Sequence, residues 1–508
     1  MWNEGYRSDI NYTTQYFTEL SPERIRLSLL AAGIEHSVPR NPDYLELGFG
    51  QGLSLVVHAA TNAGRFFGND FNPAQAAHAM QLAATTGRSV GVMEDSFDEL
   101  ARRTDLPQFD VIALHGIWSW INDAGRAAIV DIARRMLRPG GALYVSYNVV
   151  TGWAPMMPMR TLMAEFEKRA AQGDLGQRIT QSLEFVGRLR DADSRYFNQN
   201  PRAGQHLDGI RKHGQEYLAH EYYNAEWHPT DFAAVSDALA EAKLTFATSA
   251  TILETLPGIG APGAATEILA SITDPVLREL TRDAFLNQMF RRDLFVKGPR
   301  TLSQLDFARR SDAMRFMLTG DAEKRPTSVK TPIGDAELRP DIYGPIMDAI
   351  VRAQNCTVQL GQLLASGELG KLTHAQVWQS LLMLTSSGYI APVSQSTNPS
   401  GDETAARALN KHLMDRAEAD DCLNILAAPR LGVGISVNRI EQMLMRAIKN
   451  GEKQPVDAVF RSLDQAGQRI IVDGTQTETD AETRDGLTAM YEAFRTRRVD
   501  TLKRVGIW

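Results

Sequence analysis

Between residues 43 and 150, short apolar runs alternate with segments whose apolar positions recur every three or four residues. The runs "DYLELGF", "RFFGNDF", "SVGVMED", "FDVIALHG" and "ALYVSYNVV" predict five strands, since each is short, rich in β-formers and bounded by turn residues. The intervening "LSLVVHAATNA", "PAQAAHAMQLAATTG" and "DAGRAAIVDIARRML" predict helices, the second opened by Pro73 and the third stopped by "RPGG". Strand and helix in alternation predict a parallel, doubly wound α/β sheet. Upstream, Ser21 as cap and Pro22 at the first position predict a helix over 22–33, with Ile25, Leu29 and Leu30 on one face.

After "TGWAPMMPM" the period changes. From about 158 to 300 the pattern predicts mostly amphipathic helix, as in "TDFAAVSDALAEA" and "PVLRELTRDAFLNQMFRRDLF". The Pro/Thr/Lys-rich stretch 323–340 predicts a linker or extended segment, and the helix–helix–helix–strand order beyond it is compatible with a winged-helix module. The expected organisation is an N-terminal lid and helix (1–40), a sheet domain (41–157) and a helical middle domain (158–322). A linker with the winged-helix-like module (323–400) and a C-terminal helical domain (401–508) follow.

Bulk properties narrow the partners. A chain of 508 residues is too long for one core. The net charge of −7 lacks the basic footprint of nonspecific nucleic-acid binding. Two cysteines, Cys356 and Cys422, predict a reducing compartment with neither a disulfide framework nor a metal site. No apolar run is long enough to span a bilayer, and "MWNEGYRSDINYTTQYF" lacks the features of a signal peptide, so a cytoplasmic protein without membrane contact is expected.

The chemistry concentrates at the ends of the first three strands. Gly48, Gly50 and Gly52 form a turn from strand to helix, where backbone N–H groups can approach a cofactor closely. The dinucleotide pattern G-x-G-x-x-G fails, because the third glycine comes one residue early and Leu53 follows. Glu46 sits inside the apolar strand two residues before the loop, a costly place without donors or a cation. This arrangement, with Phe49 in the turn, resembles motif I of the Rossmann-like S-adenosylmethionine (SAM) methyltransferases. Asp70, beside Phe71, ends the second strand and can accept both ribose hydroxyls. Asp95 ends the third and can accept from the adenine amine, with Ser96 or Phe97 as backbone donor. The cofactor expected is SAM, leaving as S-adenosylhomocysteine (SAH).

Methyl transfer requires a lone pair aligned with the C–S bond about 3 Å from the methyl carbon in a dry pocket, and aromatic faces suit a cationic sulfonium. Aromatics gather in "HGIWSWIND" (His115, Trp118, Trp120), in "VSYNVVTGW" (Tyr147, Trp153) and in the lead (Tyr6, Tyr12, Tyr16). His115 is placed at the methionine end of the cofactor or simply at a strand end, and the two Trp residues are pocket walls or core anchors. "HGIW" lacks the Pro-Pro tetrad of DNA amino-methyltransferases, which counts against base methylation. The first 167 residues contain no lysine, excluding Schiff-base chemistry in the sheet domain.

"YFTELSPERIRLSLLAAGI", "LELGFGQGLS", "GNDFNPAQAA", "LHGIWSWI" and "YVSYNVVTGW" together resemble bacterial methyltransferases carrying a methyltransferase regulatory domain. "YLAHEYYNAEWHPTDFA" (217–233) and "FLNQMFRRDLF" (285–295) resemble blocks of that regulatory region. The resemblance covers nearly the whole chain and implies a protein lysine acceptor, with a homodimer through the helical domains. Phe49, where those lysine methyltransferases typically carry Cys or Ala, and the lead "DINYTTQYF" depart from the pattern. For a lysine acceptor no strong base is required: an aromatic channel lowers the ammonium's pKa, Tyr147 or Tyr12 orients the amine, and Trp118 walls the channel. Glu221 is a candidate partner for a basic substrate, or a surface carboxylate. A small-molecule or glycan methyltransferase, and a SAM-binding regulatory or scaffold protein, are the alternative functions.

Overall fold

In the computed structural model, which describes residues 14–419, 423–472 and 474–508, the alternating segment builds five neighbouring strands of a seven-stranded sheet. Its strands are β1 (Asp43–Leu47), β2 (Arg65–Asn69), β3 (Val90–Met93), β4 (Phe109–Leu114) and β5 (Leu137–Asn148), then β6 (Leu244–Ser249) and β7 (Phe290–Lys297). Their order is β3-β2-β1-β4-β5-β7-β6. The first five run parallel, while β7 lies antiparallel between β5 and β6. Leu47 pairs with Asn69 and Asn69 with Met93, so the tips of β1, β2 and β3 end at one edge.

The last two strands correct the helical reading of 158–300. The helix Pro275–Leu286 stops at Asn287, which turns left-handed at φ 47°, and the chain then enters β7. Arg291 and Asp293 make β7 look amphipathic, yet both are buried, and three carboxylates (Glu279, Asp283 and Asp293) satisfy the one guanidinium at 2.7–2.8 Å. A buried cluster of paired charges inside a sheet breaks the polar-out rule.

Helix α1 (Pro22–Ala31) starts where expected, with Ser21 accepting the Arg24 N–H at 3.2 Å. Helices α2 (Leu53–Thr61), α3 (Pro73–Thr85), α4 (Phe97–Arg102) and α5 (Asp123–Met136) follow β1 to β4. One sheet face packs Tyr44, Phe66, Val111 and Tyr144 with Ile25 and Leu29 of α1. The other packs Leu45, Ile112 and Val145 with α5 and with the helix Phe232–Ala240.

Residues 323–340 are an extended segment in a specific form, a hairpin pairing Ser328–Thr331 with Gly334–Glu337, with Val329 buried. The helices Pro340–Arg352, Leu360–Ala365 and His374–Ser386 surround a three-stranded sheet. Its central strand, Arg315–Leu318, comes from upstream, and after Ile390–Pro392 the chain enters the helix Pro399–Arg416, so no wing follows in the manner of a winged helix. Beyond 400, that helix and the hairpin Ile425–Ala428/Val433–Ser436 bury Leu53, Val56, Val57 and Ala60 of α2. The C-terminal part therefore sits against the helix that the glycine loop opens. Among the described residues no helix is long and apolar enough to cross a membrane.

Candidate active site

The glycine loop works as its spacing requires. Gly48, Gly50 and Gly52 all take positive φ (67°, 59° and 76°), a region open to glycine without strain. A Cβ on Gly48 would lie 2.3 Å from Ile117 Cδ1, and one on Gly52 2.5 Å from Ala79 Cβ. The turn thus fits closely between the β4 tip and α3. Asp70 clamps it: Oδ2 accepts the Gly50 N–H at 2.8 Å and Oδ1 the Asn72 N–H at 3.0 Å. With its amide reoriented, Gln75 donates to both oxygens. Burial still dominates and pushes the Asp70 carboxyl up to about 7.

Glu46 is buried, with the Tyr44 hydroxyl donating to it at 3.2 Å, and burial without a cation pushes it up to about 8. Asp95 is held by Asn69, which donates to its carbonyl at 2.8 Å and accepts its N–H at 3.1 Å, while Arg103 pairs with its carboxylate at 2.9 Å. Ser96 caps α4, and its N–H goes to Glu99 at 2.8 Å. That N–H is therefore not available to a ring, which leaves Phe97 of the two donors considered. His115 stacks on Phe17 with centroids 3.8 Å apart and shares a 2.8 Å hydrogen bond with the Tyr144 hydroxyl. Burial pulls its imidazole down to about 3, so it is neutral.

The loop and the strand-tip acids share one cavity at the β1–β4 switch in strand order, where open α/β sheets bind ligands. Glu46, Gly48, Phe49, Gly50, Asp70, Phe71, Asp95, Ser96 and His115 are on its wall, and Gly52 shapes the turn behind it.

Two proposed acceptor residues are not there. Tyr147 points to the opposite sheet face, buried, with its hydroxyl donating to Asp293 at 2.7 Å. Strand alternation explains this, since Tyr144 and Ser146 take the cavity side of β5. Trp118 is 3% exposed and packs in that same opposite core. Tyr6, Tyr12 and Cys422 lie outside the described residues.

Trp120 and Glu221, both candidates in the sequence, are also on the wall, and residues that the sequence does not single out join them there. Gln15 and Phe17 roof it from the lead. Between them Tyr16 faces away, its hydroxyl accepting the Gly434 N–H at 2.7 Å and lying 3.2 Å from His58 Nε2. Trp120, Ile117 and Asn122 come from the turn after β4. His220, Glu221, Asn224 and Glu226 come from α6 (Gln215–Tyr222) and the loop after it. That loop is laced to the strand tips: His228 N–H donates to Ser119 O at 2.7 Å, and Thr230 N–H to Asn148 O at 2.9 Å. Five carboxylates line the cavity (Glu46, Asp70, Asp95, Glu221 and Glu226), and among the described residues no Lys or Arg does. Such a set fits a cationic nucleoside: acids at the strand tips, an aromatic–imidazole stack, and a loop with no room for side chains.

Known proteins place this arrangement. The methyltransferase domain family matches residues 45–141, and the family described as "Predicted methyltransferase regulatory domain" matches 214–297. The structure of PKMT2 from Rickettsia typhi in complex with AdoHcy shares the fold, with TM-score 0.69 at 17% identity, covering 95% of this chain and 98% of that one. Fold and domain together define a SAM-dependent methyltransferase. The chain is also 35% identical over 509 residues to the uncharacterized protein sll1526 of Synechocystis sp., covering 100% of this chain and 99% of that one. It belongs with that protein to the family of methyltransferases that carry a methyltransferase regulatory domain. RP789 of Rickettsia prowazekii, also described as uncharacterized, is 22% identical over 523 residues, covering 95% of this chain and 90% of that one.

Proposed function

We propose that the protein methylates lysine side chains of a protein acceptor. One observation carries the reading: the carboxylate-lined cavity does not stop at the cofactor end but continues to Glu221 and Glu226 of the regulatory segment. A row of acids with no Lys or Arg on the described wall favours two cations in sequence, a sulfonium and an ammonium. When bound, SAM supplies a methyl group on a sulfonium and leaves as SAH. Asp70 and Asp95 would hold the nucleoside, Glu46 would face the methionine end, and neutral His115 against Phe17 would keep water from the reacting centre. Trp120 forms the aromatic wall toward the acceptor side, packing on Trp227 with centroids 6.3 Å apart. The resemblance of the fold to PKMT2, and its regulatory domain, support a macromolecular acceptor.

A cytoplasmic setting, a homodimer through the helical parts and the five-segment organisation belong to the same proposal. Incubation of the protein with methyl-labelled SAM and a bacterial lysate tests it. Label is expected in protein bands and in methyl-lysine after hydrolysis. Label confined to small molecules would favour the small-molecule or glycan reading. SAM retention without any transfer would favour a binding protein.

A further inference from the structure

A lysine arrives as an ammonium at neutral pH and attacks only as the free amine, so its proton must leave. Tyr147, on the far sheet face, cannot orient that amine. Glu221 stands elsewhere. It sits in the last turn of α6, half-buried, and lines the cavity without a hydrogen-bond partner among the described residues. Desolvation pushes its carboxyl up to about 7. Tyr217 and Tyr222 face it from its own helix, with His220 adjacent. Glu226, paired with His228 at 2.6 Å, follows on the next loop, and Glu46 and His115 share the cavity. Neither a Lys nor an Arg on the described wall compensates it.

We propose, on the protein-lysine reading, that Glu221 is the catalytic base that deprotonates the acceptor. One Glu221 oxygen takes a proton from the lysine Nζ. The lone pair so freed forms the N–C bond to the methyl carbon while the C–S bond breaks, its electron pair staying on sulfur. The methylated nitrogen takes over the positive charge that sulfur loses, and the proton on Glu221 passes to solvent through the cavity mouth. Atoms and charge balance without an oxidant or a metal.

The test uses the full chain and its Glu221→Gln variant with methyl-labelled SAM and a bacterial lysate, methyl-lysine being counted from pH 6 to 10. Binding of SAH, and of n-butylamine to the SAH-loaded protein, is measured by calorimetry as readouts independent of turnover. The wild-type rate should climb through about pH 7, and Glu221→Gln should be about 100-fold slower at pH 7. The deficit should shrink below about tenfold at pH 10, where free amine is abundant. SAH affinity should stay within about twofold, and butylamine binding should weaken by at least about tenfold, as for loss of a charged partner. A deficit constant across pH, or none at pH 7, would overturn the role of Glu221. Should the wild type form no methyl-lysine at all, the protein-lysine reading fails instead. The butylamine arm then decides, and unchanged binding overturns the assignment.

Discussion

Glu46→Gln is expected to move stability and cofactor affinity in opposite directions. Burial raises the Glu46 carboxyl from 4.5 to about 8 because it opposes the charge. At about 1.4 kcal/mol per pH unit, that rise corresponds to about 5 kcal/mol, a ceiling that relaxation and water entry reduce. The folded state keeps a proton between pH 4.5 and 8 that the unfolded chain has lost. Stability therefore falls as pH rises through that window, and the full cost is present above 8. Glutamine carries no such proton, so the variant should match the wild type near pH 4.5 and melt higher at pH 9. Binding runs the other way. A cation brought to Glu46 favours the carboxylate, so wild-type SAM binding at pH 7 should release protons, and Gln should weaken affinity by about 2–3 kcal/mol, or about 30- to 150-fold. Melting curves at pH 6 and 9, with calorimetry in buffers of different ionisation enthalpy, read both effects. A variant that melts lower at pH 9, or a wild type that binds SAM with no proton release and a flat affinity from pH 6 to 9, would refute the reasoning.

Asp70→Ala should abolish SAM binding but also lower the melting temperature, because it frees the Gly50 and Asn72 N–H groups at about 1–3 kcal/mol each; Asp70→Asn, which keeps an acceptor, separates the two effects in calorimetry and melting. Tyr16→Phe strips the Gly434 N–H of its partner and should loosen the segment carrying Gln15 and Phe17, raising the SAM dissociation rate about tenfold in stopped flow. Tyr147→Phe removes a donor from buried Asp293 and should cost about 1–3 kcal/mol of stability while leaving SAM affinity and acceptor KM unchanged; a selective KM change would restore Tyr147 to the acceptor site.

What the sequence reveals about this site follows from how local each signal is. The glycine turn, Glu46, Asp70 and Asp95 are legible because each sits at a strand tip beside its own turn residues, and parallel register brings those tips together. Phe17, Asn224 and Glu226 are not, since only tertiary packing carries positions from the lead and the regulatory segment to one cavity. Tyr147 shows a subtler limit. Its place at the end of β5 is readable, but which face it takes depends on the register that puts Tyr144 beside His115. Strand β7 is hidden for an energetic reason, as Arg291 and Asp293 pair inside the sheet and imitate a solvated helix face.

The most direct measurement is a crystal structure grown with SAH. Ribose hydroxyls on Asp70, the thioether facing His115 and Ile117, and an open passage from the sulfur to Glu221 are expected. A nucleoside bound elsewhere, or a passage closed between sulfur and Glu221, would contradict a cavity built to bring two cations together.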